Sequence, residues 1–140
     1  MKEKKTATVS LVSGMHFTAT SDRGFKFDLD GAPNHGGQGK GASPMALLLL
    51  GLAGCTAMDV ASILRKMRQE LAEMTINVTG TRAESHPKVF TDIHVEYIFS
   101  GGKVDGKAIQ KAIDLSVNHY CSASAMLKKT ATLTTSYSIQ

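Results

Sequence analysis

One apolar stretch dominates the middle of the chain and reads Pro44-Met-Ala-Leu-Leu-Leu-Leu-Gly-Leu-Ala-Gly-Cys-Thr-Ala-Met-Asp59. Ser43, directly before it, can cap free amide groups, and proline is favoured at the first helical position because no N–H is required there. These signals predict a helix from Pro44 to about Met67, roughly 36 Å long at 1.5 Å per residue. Its first half is apolar on every side and therefore needs neighbours on every side. A chain of this size can hardly surround the helix alone, so we expect a second copy of the chain to supply some of these neighbours.

The overall composition favours a single domain over residues 1–140, because 140 residues with 42% apolar content can bury a core. The net charge of +4 is scattered, and its largest cluster is Lys2, Lys4 and Lys5. Charges in such a tail are usually solvated, so we predict no nucleic-acid partner. The apolar run ends at Asp59 and is read as too short for a membrane span, and the N-terminal residues contain no apolar signal segment. We therefore expect a cytoplasmic protein without a membrane partner.

The remaining pattern predicts an α+β fold. Three short strands come first and look like an antiparallel meander, followed by a glycine-rich loop over 30–42, the long helix, two longer strands, two helical segments and a closing strand. The predicted strands are Thr6–Val12, His16–Ser21, Phe25–Leu29, Met74–Arg82, Val89–Phe99 and Thr130–Ile139, and the further helices are Asp105–Tyr120 and a short one that begins at Cys121.

The strongest functional signal is the pair of thiols, because Cys55 and Cys121 are the only cysteines in the chain. Without a secretion signal, two cysteines do not indicate a structural disulfide framework. They lie far apart in sequence, and no Cys-x-x-Cys or His-x-x-x-His pairing occurs, so we predict neither a metal site nor a cofactor. Two thiols that could meet across the fold leave a redox pair open.

Cys55 has two interpretations that the residues alone do not separate. Gly51 and Gly54 beside it allow another helix to approach closely, in which case the cysteine only fills a tight space. Asp59 follows one turn later on the same helix face and places a negative charge beside the thiol. A reactive Cys55 therefore needs positive charge from elsewhere.

Cys121 also has two interpretations. At a predicted helix N-terminus, free N–H groups and the helix dipole favour a thiolate with a pKa below the ordinary value of about 8.5. The alternative is a structural residue beside a partly buried His119. A cysteine–histidine hydrolase is not favoured, because His35, His94 and His119 show no spacing that pairs a base with a nucleophile.

Several motifs in this order closely resemble the OsmC/Ohr family over nearly the whole chain. They are the meander, the glycine-rich loop, Ser43-Pro44-Met45 at the helix start, Gly54-Cys55-Thr-Ala-Met-Asp59 within the helix, and Cys121-Ser-Ala-Ser-Ala-Met-Leu127. The resemblance implies an OsmC-like α+β fold, with antiparallel sheets around a long buried central helix. It also implies an intertwined homodimer with two active sites at the subunit interface.

The same resemblance implies a thiol-dependent peroxidase that acts on organic hydroperoxides or hydrogen peroxide in the response to oxidative stress. Cys55 matches the reactive cysteine, which attacks the peroxide and becomes a sulfenic acid. Cys121 matches the resolving cysteine, which closes a disulfide that a dithiol reductant reopens.

Two positions depart from the family pattern. Met45 and Ala46 follow Pro44, where characterised hydroperoxide reductases of the family carry a glutamate that orients an arginine. The strand turn that would supply the arginine reads Ser13-Gly14-Met15-His16. We assign Arg23 as the substitute catalytic cation, with His16 as a second candidate. The alternative function is a non-catalytic or weakly catalytic OsmC-like dimer that binds a ligand or senses redox state.

Overall fold

The computed structural model describes residues 2–140, which fall into two compact units, the first ending at Leu48 and the second running from Leu49 to Gln140. The first unit contains a three-stranded sheet of β1 (Ala7–Ser13), β2 (His16–Ser21) and β3 (Lys26–Leu29). The strands lie in the order β1-β2-β3, and both pairs are antiparallel. The predicted meander is confirmed, with strand bounds within one residue of those expected.

The glycine-rich loop is organised around one buried carboxylate. Asp30 is only 3% exposed, and its side chain accepts hydrogen bonds from the backbone N–H groups of Gly31, Gln38 and Lys40 at 2.7, 3.2 and 3.1 Å. Burial alone would raise the pKa of Asp30, but these donors, together with His16, hold the pKa below its ordinary value. The loop is therefore irregular but tightly bonded, a feature that its composition does not reveal.

The second unit contains the other sheet, formed by β4 (Glu73–Arg82), β5 (Phe90–Ser100) and β6 (Thr132–Ile139) in that order. β4 and β5 are antiparallel, as expected, but β6 runs parallel to β5. The expectation of purely antiparallel sheets is therefore wrong for β6. The chain between β5 and β6 makes a long helical crossover, which is the connection that a parallel pair requires.

That crossover contains α2 (Gly106–Leu115), a π-helical turn over Ser116–Tyr120 and α3 (Ser122–Leu127). Asp105 caps α2 by accepting the backbone N–H groups of Lys107 and Ala108. The single helix predicted over Asp105–Tyr120 is thus an α-helix that widens into a π turn. A π-helical turn is often found at a functional site, and this one leads directly into Cys121.

The long helix α1 (Pro44–Lys66) begins where the sequence predicts, with the Ser43 hydroxyl accepting the Ala46 N–H at 3.2 Å. Within the chain it buries one stripe at four-residue spacing, formed by Leu52, Thr56, Val60 and Leu64. Leu48, Leu50 and Met58 are 49%, 60% and 76% exposed. The expected burial on every side is therefore not met within a single chain.

Among the described residues, α1 is also the one helix that is long and apolar enough to cross a membrane by length and composition. Only 22% of an apolar 18-residue stretch of this helix is buried within the chain. The apolar run before Asp59 is shorter than a span, but the helix that contains it continues to Lys66, close to the predicted end, and therefore meets the test of length. The core helix of a soluble protein passes the same test, so this finding is weak evidence for a membrane span.

We expect replacement of Ile113 by alanine to lower the free energy of unfolding by about 2–5 kcal/mol, the usual range for removing a large side chain from a core. Ile113 lies on the buried face of α2 and is 0% exposed. The matched control is Lys111→Ala on the exposed face of the same helix, which should change stability by no more than about 0.5 kcal/mol. Chemical denaturation at one fixed protein concentration measures both. Equal small losses would contradict this description of the core.

Candidate active site

The structure brings together the two cysteines that the sequence separates. Cys55 lies in the middle of α1, and Cys121 lies between the π turn and α3. Their Sγ atoms and a carboxylate oxygen of Asp59 all lie within 4.8 Å of one another, and both thiols are free. We call these three residues the thiol–carboxylate cluster. It lies entirely within the second unit.

Asp59 is the member of this cluster whose part the sequence analysis missed. The sequence placed its carboxylate beside Cys55 on one helix face, but gave no sign of its contact with the segment around Cys121. Ser116, in the π turn, donates a hydrogen bond from Oγ to Asp59 Oδ2 at 2.9 Å. This bond connects α1 to the segment that carries Cys121.

Three buried hydroxyl groups continue from this bond into the core. Thr56 Oγ1 lies 2.8 Å from Ser116 Oγ and 2.7 Å from the hydroxyl of Tyr97 on β5. Each hydroxyl has one hydrogen to donate. Because Ser116 donates to Asp59, it accepts from Thr56, which in turn accepts from Tyr97. We call this directed chain the hydroxyl relay; it ends on Oδ2 of Asp59.

Cys121 lies in a setting that opposes ionisation. Its Sγ accepts the Ser124 N–H at 3.4 Å as the cap of α3, but the residue is only 2% exposed. Burial raises the pKa of the Cys121 thiol, the neighbouring Cys55 raises it further, and the contacts from Ser124 offset only part of this effect. The predicted low thiol pKa at a helix N-terminus is therefore wrong in direction, because α3 is short and the sulfur is buried.

Arg23 and His119 each make a contact of their own. The guanidinium of Arg23, in the first unit, lies 5.7 Å from the centroid of the Phe25 ring, and its catalytic role stays a prediction. The His119 ring packs edge-on against Tyr120, with centroids 4.4 Å apart. In the part of the chain that the structure describes, no hydrogen bond joins a histidine to either thiol, so nothing here supports a cysteine–histidine hydrolase.

Comparison with known proteins gives this arrangement a family. A family model described as OsmC-like protein matches residues 37–136. The chain belongs to the OsmC-like family. Protein YhfA of Escherichia coli strain K12 is 38% identical over 133 residues, covering 95% of this chain and 96% of that protein. YhfA and this chain are therefore similar over nearly their full lengths.

Solved structures show the same OsmC-like fold. A hypothetical protein from Aquifex aeolicus VF5 superposes with a TM-score of 0.87 at 34% identity, covering 99% of this chain and 98% of that one. A Legionella pneumophila protein described as an organic hydroperoxide resistance protein OsmC superposes with a TM-score of 0.75 at 16% identity, covering 97% of each chain. At that identity, the second likeness shows the fold alone.

Tyr97, at the start of the hydroxyl relay, keeps the proton that it donates to Thr56. Burial raises the pKa of Tyr97 to about 12, although the hydrogen bond with Thr56 lowers it in part. Cys121 and Asp59 raise it as well when they are charged. The tyrosine is therefore protonated throughout the neutral range and holds the relay in one direction.

Two cavities border the thiol–carboxylate cluster within the second unit. A cavity of about 450 Å³ has Asp59, Lys66, Lys111 and Tyr120 among its lining residues. A smaller one, of about 300 Å³, is lined in part by Cys121. Small solutes can therefore approach the cluster from the Asp59 side, where the two lysines bring positive charge.

We expect Thr56→Val to lower the free energy of unfolding by about 1–3 kcal/mol, the cost of leaving buried polar groups unpaired. Valine keeps the branched shape of threonine but removes the hydroxyl that Tyr97 and Ser116 both use. The matched control is Thr79→Val at an exposed position of β4, where a change within about 0.5 kcal/mol is expected. Thermal and chemical unfolding measure the difference. Two variants of equal stability would show that the relay does not support the site.

Proposed function

We propose that this protein is a thiol-dependent peroxidase that reduces organic hydroperoxides or hydrogen peroxide through Cys55 and Cys121. The observation that carries the proposal is the close approach of two free thiols from separate elements of one unit. Membership of the OsmC-like family supports a redox role. The substrate class that we propose is the one named for a protein of the same fold, the organic hydroperoxide resistance protein of Legionella pneumophila.

Burial and charge assign the two thiols to different steps. The thiolate is the nucleophile in peroxide reduction, and it must meet its substrate. Cys55 is only half-buried, whereas Cys121 is almost fully buried and has a raised pKa. Cys55 is therefore the attacking residue, and Cys121 is the resolving residue.

The reaction balances with these two residues and an external dithiol. The Cys55 thiolate attacks the terminal peroxide oxygen, the O–O bond breaks, and the alcohol leaves with a proton while Cys55 becomes a sulfenic acid. Cys121 then attacks that sulfur, which releases water and forms the disulfide. A dithiol reductant restores both thiols by exchange and is itself oxidised.

A thiolate at Cys55 requires a nearby cation to stabilise it. Within residues 49–140, no ion pair joins a lysine, arginine or histidine to Asp59. We propose Arg23 for this role, since the family arginine is absent from the strand turn at 13–16. The supporting observation is its positive charge at the turn between β2 and β3.

A homodimer is part of the proposal because α1 exposes apolar side chains. Leu48, Leu50 and Met58 lie at or near the surface of the single chain. Leaving apolar surface in water costs about 25 cal/mol per Å². We infer an intertwined dimer in which a second copy covers this face, so that α1 is a core helix of a soluble, cytoplasmic protein rather than a membrane span.

A second candidate function is a weakly catalytic dimer that senses redox state or binds a ligand. One observation favours it, which is the negative charge of Asp59 beside both thiols. An anion there opposes the formation of thiolates and slows attack on peroxide. Such a protein would form the disulfide without efficient turnover.

We expect Cys55→Ser to abolish dithiol-dependent consumption of an organic hydroperoxide, because the attacking sulfur is gone. Cys121→Ser should still undergo the first step and accumulate a Cys55 sulfenic acid that a dimedone reagent traps. Peroxide loss followed by absorbance and mass analysis of the trapped adduct measure the two outcomes. If Cys55→Ser retains full turnover, the proposed peroxidase is wrong.

Arg23→Gln supplies a further arm of that experiment. It should slow the first step, whereas Arg65→Gln, which removes the same charge from the exposed side of α1, should leave it unchanged. Equal rates in both variants would remove Arg23 from the mechanism while leaving the roles of the cysteines intact.

We expect Leu48→Asp to convert a sedimenting dimer into a monomer or to remove the protein from the soluble fraction, since a charge would enter the covered apolar face. The matched control is Ser62→Asp, which adds the same charge at an exposed polar position of α1. Sedimentation velocity at micromolar concentration measures both. A well-folded monomer of the unmodified chain under these conditions would refute the dimer.

A further inference from the structure

We propose that the thiol–carboxylate cluster of Cys55, Asp59 and Cys121 binds a thiophilic divalent cation, Zn²⁺ foremost, in the reduced protein. Two sulfur atoms and one carboxylate oxygen lie within 4.8 Å of one another. Ligand atoms around tetrahedral zinc lie roughly 3.5 to 3.8 Å apart, given bonds of about 2.0 to 2.3 Å. The separations between the three donors therefore exceed the spacing that zinc requires by at most about 1.0 to 1.3 Å.

The donor set suits this metal. Thiolates and a carboxylate are common zinc ligands, and three protein ligands leave a fourth position for water or a small anion. The sequence analysis predicts no metal site because the cysteines lie far apart along the chain. The fold removes that objection by bringing α1 against the segment that carries Cys121.

The charges of the cluster favour a cation. Asp59 is held as an acceptor by Ser116, and each thiol adds a negative charge when it ionises. Within residues 49–140, no positively charged side chain forms an ion pair with this carboxylate. Zinc binds cysteine as the thiolate, so two protons leave the sulfurs on binding, and the charges of three anionic donors must then be offset by the ion. A divalent ion satisfies this requirement without any change of fold.

Hydrogen bonds around the cluster already orient two of the donors. Ser116 occupies one oxygen of Asp59 and leaves the other free, while the Ser124 N–H points to Cys121 Sγ at 3.4 Å. Contacts of this kind fix metal ligands in position and strengthen binding. The hydroxyl relay behind Ser116 is fully buried, so buried hydroxyl groups fix the position of the Asp59 carboxylate.

Metal binding and oxidation exclude each other at this site, a consequence that rests on the proposed function. A hydroperoxide takes two electrons from the two metal-bound thiolates and two protons from the acid form of the buffer. The products are the Cys55–Cys121 disulfide, an alcohol, water and the released ion. The binding of zinc to the reduced protein does not itself require any peroxidase activity.

The direct test is a titration of reduced, metal-free protein with zinc chloride, without oxygen, in competition with a chromophoric chelator. We expect one zinc ion per chain. Loss of an outer-shell contact weakens metal binding by about 10- to 100-fold. Removal of a ligand itself, by Cys55→Ser, Cys121→Ser or Asp59→Asn, should weaken zinc binding at least as much. His119→Ala and Glu84→Gln, at exposed positions outside the cluster, should bind like the unmodified protein.

Circular dichroism shows which variants are folded, and a second measurement avoids substitution altogether. Co²⁺ added to the unmodified protein should give sulfur-to-metal charge-transfer absorption that disappears after oxidation to the disulfide. If the protein fails to compete with the chelator for zinc, or if it binds Co²⁺ without sulfur-to-metal absorption, the proposal is overturned.

The metal titration contains no peroxide, so the two proposals fail separately. Protein that binds zinc through both thiols but does not reduce peroxide would contradict only the peroxidase. Protein that reduces peroxide through Cys55 but does not bind zinc would contradict only the metal site.

Discussion

The hydrogen bond from Ser116 to Asp59 is the interaction on which the candidate site depends. It joins α1 to the π turn that precedes Cys121, and the relay from Tyr97 through Thr56 extends it to β5. Three elements that are distant in sequence are thereby fixed around one carboxylate. Because the hydroxyl groups are buried, each must keep its partner or remain unsatisfied. The proximity of the two thiols follows from this requirement.

Local signals in the sequence predict most of the fold. The serine cap and proline at 43–44 place the start of α1, and alternating side chains place the strands within one or two residues. The orientation of β6 is not predictable in this way, since it depends on the path of the crossover rather than on the composition of the strand. Nor does helical spacing reveal the π turn, which changes the backbone hydrogen bonding but not the apolar pattern.

The candidate site is predicted only in part. Family resemblance identifies Cys55 and Cys121, but the role of Asp59 depends on a partner 57 positions away. The same limit explains the error over Cys121: a helix N-terminus favours a thiolate, yet burial in the folded chain reverses the effect on its pKa. The proposed peroxidase chemistry and the proposed metal binding draw on the same reduced dithiol, so oxidation to the disulfide would release a bound ion.

The central claim is that Cys55 and Cys121 of one chain act as a single redox pair, and disulfide mapping tests it most directly. Reduced protein would be treated with one equivalent of hydroperoxide, blocked with an alkylating agent, digested and analysed by mass spectrometry. The account predicts the loss of two hydrogens and one cross-linked peptide that contains both cysteines from the same chain. Two thiols that remain free, or that become over-oxidised independently of each other, would contradict it.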